Sequence, residues 1–369
     1  MVAILVFILI LSVLVLLHEL GHFIMAKRAG IGVEEFGFGI PPRLWGKKIR
    51  GTIYSVNWLP FGGFVRLVGE DPLDKHIKQK NSFYTKTLSQ RASVVLAGVV
   101  VNFILAVVLF YIVLFALGFK ASLPLIVEHK FKFVNQSKQV LVVDVASQSS
   151  ADSAGIKLGD SILAINNQKI NSIDQLQTIV RASQDENLVL LIENPVNNKV
   201  RTVNAKPAYS EELKAPALGI GLGELVVLNY QTLGQKLYSG FIHSYNTVEY
   251  SLKVFSQLIG YAISQKDIRP VSEGVSGPVG IASITSQAVA MGPLTVLQLV
   301  ALLSLNLALI NVLPIPALDG GRFLFIFIEL ITRHRVNPAF EKWAHTIGFG
   351  LLIALIFLIT YNDIIKLVR

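Results

Sequence analysis

The stretch MVAILVFILILSVLVLLHELGH, residues 1–22, decides the fold, because an almost uninterrupted apolar run leads directly into three ionisable side chains. Met1–Leu17 and the residues that follow are long enough to cross about 30 Å of hydrocarbon as a helix. His18, Glu19 and His22 therefore lie in a segment that penalises charge. The run has neither a basic start nor a small-residue cleavage site, so we expect a membrane helix rather than a removable signal peptide.

The spacing of these three residues is typical of a zinc site. Positions i and i+4 share one face of a helix, so His18 and His22 can bind one Zn²⁺, and Glu19 can act as general base beside an open coordination position. The alternative is a chance match, which occurs in roughly one chain of this length in a hundred. An accidental match would rarely fall inside an apolar segment. The sequence therefore predicts an intramembrane metal site.

The composition indicates that the whole chain is a membrane protein. Of 369 residues, 52% are hydrophobic and 15% are charged, which is too apolar for a soluble protein of this size. The absence of cysteine excludes disulfides and cysteine–zinc sites. We predict a polytopic α-helical membrane protein with four transmembrane helices, at Val2–Leu17 continuing into the motif, Val94–Gly118, Leu294–Leu313 and Trp343–Tyr361.

The positions of the basic residues predict the orientation in the membrane. Residues 27–91 carry twelve Lys and Arg, and the connection at 322–342 is also basic. Because basic loops stay in the cytoplasm, residues 119–293 should lie on the opposite side. We predict a multi-pass membrane protein in which the His18 end of the first span lies towards the cytoplasm. The lipid bilayer accounts for the net charge of +9, and no nucleic-acid partner is expected.

Residues 119–207 have the pattern of a small α+β domain. The string AGIKLGDSILAINNQKI, residues 154–170, resembles the signature of PDZ domains, which bind an extended peptide or chain end at a strand edge. Peptide binding and steric filtering by size both remain open. The predicted elements are strands at Gln139–Val145, Ser161–Asn166, Asn167–Ile170 and Leu188–Glu193 and a helix at Ile173–Ala182.

The segment 208–293 is less regular. Leu237–Ile263 is apolar enough for a fifth span, but polar and charged residues interrupt it, so we predict an interfacial amphipathic region. A fifth span here would also reverse the direction in which the third helix crosses the membrane. The C-terminal end of that helix would then lie on the opposite side of the membrane from His18. The chemistry needs those groups on one side of the membrane.

A third zinc ligand is expected near the end of the chain. The string NVLPIPALDGG, residues 311–321, follows the third predicted span and lies on the same side of the membrane as the first motif. The Asp319 carboxylate can bind zinc there, at about 2.0–2.2 Å. The alternative is that Asp319 only caps a helix that begins near Gly320. We favour ligation because an unpaired aspartate at this depth needs a partner.

Together the two motifs and the inserted domain resemble the site-2 proteases, most closely the bacterial regulator of sigma-E protease branch. RASVVLAG at 91–98 with Asn102, PFGGFVR at 60–66 and SGPVGI at 276–281 are also similar to pieces of that family. The resemblance implies a zinc-dependent endopeptidase of the bacterial inner membrane, with its active site towards the cytoplasm, that cuts within the transmembrane segments of its substrates.

The resemblance also implies zinc ligands, a catalytic base and substrate contacts. These are His18, His22 and Asp319 for Zn²⁺, Glu19 for the base that activates water, and Asn306 and Asn311 for the substrate backbone. An amide side chain can hydrogen-bond an unwound backbone that lipid cannot satisfy. The alternative for both asparagines is hydrogen bonding between helices of the bundle.

Residues 32–67 alternate apolar and polar positions and predict a membrane-associated β-hairpin region. In the family such a sheet dips into the membrane, where an edge strand could hold a substrate extended; a hairpin that only shields the zinc is the alternative. The expected partners are single-pass membrane proteins already trimmed by another protease, either anti-sigma factors or signal-peptide remnants. Proteobacterial members carry two tandem PDZ domains, and the single signature here leaves the substrate open.

Two other classes compete with this interpretation. In a non-catalytic membrane adaptor the metal would be structural, but a structural site normally closes its fourth position with protein, and the sequence offers no obvious fourth ligand. A metal transporter would carry several ionisable residues spread through its spans, which contain almost none outside the motif.

The predicted boundaries follow from these patterns. They are 1–26 for the first transmembrane helix, 27–91 for the β region, 92–118 for the second helix, 119–207 for the PDZ-like domain, 208–293 for the interfacial region, 294–321 for the third helix, 322–342 for the cytoplasmic connection and 343–366 for the fourth helix.

Overall fold

A computed structural model describes residues 2–71, 77–194, 199–211, 213–267 and 274–368, so the predicted regions 27–91, 119–207 and 208–293 each include residues outside the described ranges. The chain divides into two compact units, residues 1–113 with 243–369 and residues 114–242. In chain order the elements are α1 (Val2–Arg28), β1 (Val33–Ile49), β2 (Thr52–Leu67), α2 (Leu88–Ala116), β3 (Lys120–Pro124), β4 (Asn135–Val145), α3 (Ser150–Ser153), β5 (Ser161–Ile165), β6 (Gln168–Lys169), α4 (Ile173–Ala182), β7 (Leu188–Asn194), β8 (Lys199–Ala205), β9 (Ala208–Ser210), β10 (Ala215–Ala217), β11 (Ile220–Asn229), α5 (Leu233–Leu237), α6 (Ser239–Gln265), α7 (Pro278–Met291), α8 (Pro293–Val312), α9 (Asp319–Thr332) and α10 (Pro338–Val368).

Within the described residues, four helices are long and apolar enough to cross a membrane, namely α1, α2, α8 and α10. They contain 27, 29, 20 and 31 residues, and each residue adds about 1.5 Å of length. The prediction of a polytopic membrane protein with four spanning helices is confirmed. α2 and α10 begin earlier than predicted, at Leu88 and Pro338, because hydropathy marks only the apolar part of a helix and not its polar first turns.

The two long strands of the β region fold back on themselves. β1 pairs with β2 in such a way that Phe36 faces both Val65 and Tyr54, while Lys47 faces Tyr54 from the other side. Four extended arms therefore lie side by side, and the arm that ends at Leu67 forms one edge. This confirms the prediction of β structure for residues 32–67.

The β region lies beside the apolar part of α1. The Ser12 hydroxyl donates a hydrogen bond to the Pro60 carbonyl oxygen at 2.6 Å. A side chain on Gly62 would contact Val15 at 3.1 Å. Because Ser12 precedes the end of α1 at Arg28 by sixteen residues, or about 24 Å of helix, this part of β2 lies beside the interior of the spanning helix.

The chain between the third and fourth spans differs from the prediction of a helix over 294–321 and a connection over 322–342. α8 ends at Val312, and Leu313 has extended backbone angles. The next residue is a proline, which disfavours helical angles in the residue before it. A new helix, α9, then begins at Asp319 and occupies much of the predicted connection. The predicted span Leu294–Leu313 agrees with α8 to within one residue at each end. The boundary at 321 is wrong, because it assigned the break and the first residues of α9 to the third helix.

The inserted unit is an α+β domain built on a sheet whose described strand pairs are all antiparallel. Its strand order is β3-β11-β4-β5-β7-β8, with β6 paired to β5. α4 covers the sheet through the buried side chains of Leu176 and Val180, and Ser172 caps α4 by accepting a hydrogen bond from the Gln175 amide at 3.2 Å. The strands and the helix predicted between residues 139 and 193 are present, with ends that differ by a few residues.

Residues 208–229 correct one predicted boundary. They form β9, β10 and β11, and β11 pairs with both β3 and β4 in the inserted sheet. The inserted domain therefore extends beyond 207, and this part of the predicted interfacial region is wrong. The sequence was misleading because the glycine-rich start of β11 weakens the strand pattern.

The predicted amphipathic segment forms the long helix α6, which is not among the candidate spans. Its buried side chains include the polar residues His243 and Asn246, which are 2% and 0% exposed. Val248 packs against the α2 and α8 cluster that contains Phe110 and Leu305. Interfacial placement of this helix stays a prediction.

Candidate active site

His18, Glu19 and His22 are positioned by the regular geometry of α1. One helical turn separates the two histidines, and their ring centroids lie 4.8 Å apart in an edge-to-face arrangement. Their exposed fractions are only 6% and 7%. The two Nε2 atoms approach each other to 3.2 Å, so both rings point at one location.

Asp319 reaches the same location from the first turn of α9. Its Oδ2 atom lies 3.0 Å from His18 Nε2 and 3.2 Å from His22 Nε2. Leu318 occupies the N-cap position, and no side chain makes a capping hydrogen bond there. This geometry therefore favours metal ligation by Asp319 over helix capping.

The three ligand atoms fit a zinc ion. They form a nearly equilateral triangle with sides of 3.0–3.2 Å, close to the roughly 3.3 Å expected between ligands of a tetrahedral zinc with 2.0–2.1 Å bonds. His22 Nδ1 lies 2.8 Å from the Val94 carbonyl oxygen, which can only accept, so the ring proton is on Nδ1 and the Nε2 lone pair faces the triangle. Two imidazole lone pairs and a carboxylate oxygen would repel one another here without a cation.

The second helix contributes groups from the stretch 91–102, which the sequence marked as similar to the family but to which no role was assigned. Val94 orients His22 through its carbonyl oxygen, and the Asn102 side chain lies 3.3 Å from His18 Nδ1. Gly98 lies between them, and a Cβ atom there would lie 2.7 Å from His18 Cε1. A backbone carbonyl leaves no signal in the sequence. Val94, Gly98 and Asn102 are four residues apart, as are His18 and His22, and this shared spacing could have indicated that the two helix faces meet.

Glu19 lines a cavity of about 220 Å³ that also includes His22 and Asp319. Its Oε2 atom accepts a hydrogen bond from the Val65 backbone N–H of β2 at 3.1 Å. The edge of the β region therefore contacts the predicted general base directly. The cavity gives room for water beside the three ligand atoms.

A second cavity, of about 500 Å³, shares several lining residues with the first, including Val65, Glu70 and Arg322. Glu70 forms an ion pair with Arg322, and its Oε2 atom accepts a hydrogen bond from the Leu67 N–H at 3.1 Å. This ion pair lies on the border between the two cavities.

Asn306 and Asn311 are placed differently. Both lie on α8 and are half-buried, and five helical positions turn their side chains about 140° apart. The structure does not bring them into the cluster formed by His18, His22 and Asp319. Their proposed contacts with substrate stay predictions.

A bundle of membrane-spanning helices with a buried His-Glu-x-x-His motif and a converging aspartate defines a membrane-embedded zinc metalloprotease. The model of Peptidase family M50 matches residues 6–355, and the chain belongs to that family. The resemblance to the site-2 proteases is thereby confirmed. The chain is a site-2 protease-type zinc metalloendopeptidase and a multi-pass membrane protein.

The relatives cover almost the whole chain. A protein of Clostridium acetobutylicum is 33% identical over 97% of this chain and 96% of its own length. The zinc metalloprotease RasP of Geobacillus kaustophilus is 29% identical over 98% of this chain and 97% of its own. The regulator of sigma-W protease RasP of Bacillus subtilis is 27% identical over 98% of each chain.

Among solved structures, the PDZ domain of the SdrC-like protein from Listeria innocua is 19% identical, covers 23% of this chain and 92% of its own, and has a TM-score of 0.21. The corresponding domain from Listeria monocytogenes is 16% identical, covers 26% and 93%, and also has a TM-score of 0.21.

Proposed function

We propose that this protease cleaves the transmembrane segments of single-pass membrane proteins that another protease has already trimmed. In this proposal His18, His22 and Asp319 hold the zinc ion and Glu19 is the general base. The observation that carries it is the convergence of three ligand atoms within 4.8 Å of one another. They lie beside the Glu19 carboxylate and a cavity of about 220 Å³, and two of the ligands belong to a spanning helix.

Peptide hydrolysis in this site needs an activated water and a proton carrier. Zinc held by His18, His22 and Asp319 would supply a water whose pKa is lowered towards about 7 and a Lewis acid for the scissile carbonyl. Glu19 takes the proton of the attacking water and then delivers it to the leaving amine. The Val65 N–H donates to the Glu19 carboxylate and orients it beside the cavity, until a substrate strand that adds to this edge takes over that N–H.

The edge of β2 offers the substrate a place to pair in an extended form. The N–H groups of Val65 and Leu67 do not point into the sheet but donate to the carboxylates of Glu19 and Glu70. Alternate residues of a strand present their N–H groups to the same edge. A substrate strand that adds to this edge would expose a carbonyl that a helix hides in its own hydrogen bonds.

The β region also has the surface of a membrane-inserted element. Trp45 and Trp58, near the ends of its arms, are 58% and 65% exposed, and Pro60 contacts Ser12 within the first span. Large apolar side chains exposed in this way favour lipid contact. We therefore infer that the sheet enters the membrane from the cytoplasmic side, the side that the basic loops indicate.

The inserted domain is the candidate selector of substrates. Its groove of about 470 Å³ lies between α4 and the start of β11. β4 pairs along the whole of β11, whereas β3 pairs with Leu225–Asn229, so in the described part of the domain the segment before Leu225 is paired on one side. An extended chain end could add there. Amidating a substrate's terminal carboxylate should slow cleavage if the groove binds that end, while dependence on the size of the external domain alone would support a steric filter.

The experiment for the whole proposal uses protein reconstituted into vesicles of the bacterial inner-membrane lipids, with a single-pass substrate carrying a short external stub. Glu19→Gln should retain zinc and lose at least about a hundredfold in cleavage rate, because general base catalysis contributes on that scale. Glu128→Gln is the matched control, since its side chain is 76% exposed in the inserted domain. Full cleavage by Glu19→Gln, or parent protein without zinc, would contradict the proposal.

Strand addition can be tested separately because the chain contains no cysteine. A single cysteine at Arg66, on the edge arm, should form disulfides with substrate cysteines at every second position. A cysteine at Lys47, on the arm at the opposite edge of the sheet, is the control and should not form these disulfides. Equal cross-linking from both positions would contradict pairing at this edge.

A further inference from the structure

The described residues place one uncharged amide beside a zinc ligand. Asn102 is fully buried, and its Nδ2 atom lies 3.3 Å from His18 Nδ1. Its Oδ1 atom is also buried and has no hydrogen-bond partner within the described part of the chain. We propose that Asn102 is a positioning residue that fixes the tautomer and the ring orientation of His18. This inference rests on the proposed zinc site.

The neighbours of His18 determine which of its ring nitrogens carries the proton. Its Nε2 atom faces Asp319 Oδ2 at 3.0 Å and His22 Nε2 at 3.2 Å, so the Nε2 lone pair is needed for the metal. A neutral imidazole then carries its proton on Nδ1 and must donate there. The Asn102 Nδ2 group is also a donor, and two donors facing each other make no hydrogen bond.

Exchanging the two ends of the amide removes the conflict. Oxygen and nitrogen of an asparagine amide have nearly the same shape, and the hydrogen-bond network decides their assignment. With Oδ1 towards His18, the Nδ1–H donates to the amide oxygen.

The neighbouring ligand has the same arrangement. His22 Nδ1 lies 2.8 Å from the Val94 carbonyl oxygen, and Val94 precedes Asn102 by two helical turns on α2. Each histidine of α1 thus has one acceptor on α2, a backbone carbonyl in one case and a side-chain amide in the other. The Ser304 hydroxyl of α8 also donates to the Asn102 backbone carbonyl oxygen at 2.8 Å, a contact that does not involve the side-chain amide.

Such an acceptor affects metal binding by holding the ring in place and raising the basicity of Nε2. Loss of a hydrogen bond from a metal-bound histidine typically weakens metal affinity by about 10–100-fold. A carboxylate at the same position would accept the hydrogen bond with either oxygen. A role of Asn102 as a donor within the bundle predicts the opposite result for a carboxylate.

The test measures zinc affinity of the full chain in detergent by competition with a chelator, with cleavage recorded in parallel. Asn102→Leu should bind zinc about 10–100-fold more weakly than the parent, and Asn102→Asp should bind as tightly or more tightly. Ser304→Ala, which loses the contact with the Asn102 backbone but keeps the amide, should stay within about twofold of the parent by the same reasoning.

Each outcome bears on one proposal. If Asn102→Leu binds zinc like the parent, or Asn102→Asp binds it more weakly, the positioning role is overturned. If Asn102→Leu does not fold, Asn102→Asp alone still decides. If the parent binds no zinc, the proposed active site fails instead, and the two failures are therefore distinguishable.

Discussion

Gly98 is the position where the smallest change should damage the zinc site. It lies on α2 opposite the two histidines, and a Cβ atom there would lie 2.7 Å from His18 Cε1 and 2.8 Å from His18 Nε2, with His22 Nε2 closer still. Ordinary contacts of a Cβ atom begin at 3.4 Å. Gly98→Ala therefore requires the His18 ring to move by about 0.6–0.7 Å and the His22 ring to move further.

The helices cannot easily separate to provide that space. Gly21 of α1 faces Ala97 so closely that its own Cβ atom would lie 2.6 Å from the Ala97 carbonyl oxygen. The imidazoles must move instead, by several times the roughly 0.2 Å that metal–ligand distances tolerate. Overpacking of this kind costs about 1–3 kcal/mol, which corresponds to about 5- to 150-fold weaker zinc binding at 1.4 kcal/mol per tenfold.

The assay is chelator competition on purified protein, combined with zinc content and cleavage of a single-pass substrate in vesicles. Gly350→Ala is the matched control, because Gly350 lies on the spanning helix α10 and a Cβ atom there would contact nothing within 4 Å. We expect weaker zinc binding and slower cleavage for Gly98→Ala alone. Zinc affinity equal to that of the parent in a folded Gly98→Ala variant would refute the close packing from which the magnitude is derived.

Three further predictions follow from single contacts. Asp319→Asn should weaken zinc binding at least about tenfold in the chelator assay, and unchanged affinity would restore the capping interpretation. Arg91→Met should lower the free energy of unfolding by about 3 kcal/mol, because the Glu329 carboxylate loses the Arg91 guanidinium at 2.7 Å and keeps the more distant Arg335 at 3.5 Å. Denaturant titration should show that the double variant Arg91→Met/Glu329→Met recovers part of this free energy, since it leaves no unpaired Glu329 carboxylate. Asn311→Leu should raise KM for substrate without changing zinc content, and an unchanged KM would favour a role in helix packing.

The part of the site that depends on local spacing could be predicted from the sequence. His18 and His22 meet because an α-helix brings positions i and i+4 together, and Glu19 follows from the same motif. The approach of Asp319 required one more step, the parity of the spans, which assigned both motifs to one side of the membrane. The break after Val312 could also be predicted to within one residue, because Pro314 and Pro316 follow the predicted span Leu294–Leu313.

The surroundings of the zinc ligands could not be predicted in the same way. The acceptor for His22 is the Val94 carbonyl oxygen, which any residue would supply, and the donor to Glu19 is the Val65 N–H. Backbone groups carry no residue identity. Pairing of β11 with β3 across the whole inserted domain also joins segments far apart in the chain, and neither segment indicates the partner by its own pattern.

The zinc site explains why α2 has a glycine at position 98, although glycine destabilises a helix. Glycine weakens a helix by about 1 kcal/mol relative to alanine, yet Gly98 lies in the middle of a spanning helix. Its missing side chain leaves room for both imidazoles, and the residues four positions before and after it supply their acceptors. The loss of helix stability is thus offset by the close approach of the two histidines. The same face of α2 determines which nitrogen of each imidazole ring faces the metal.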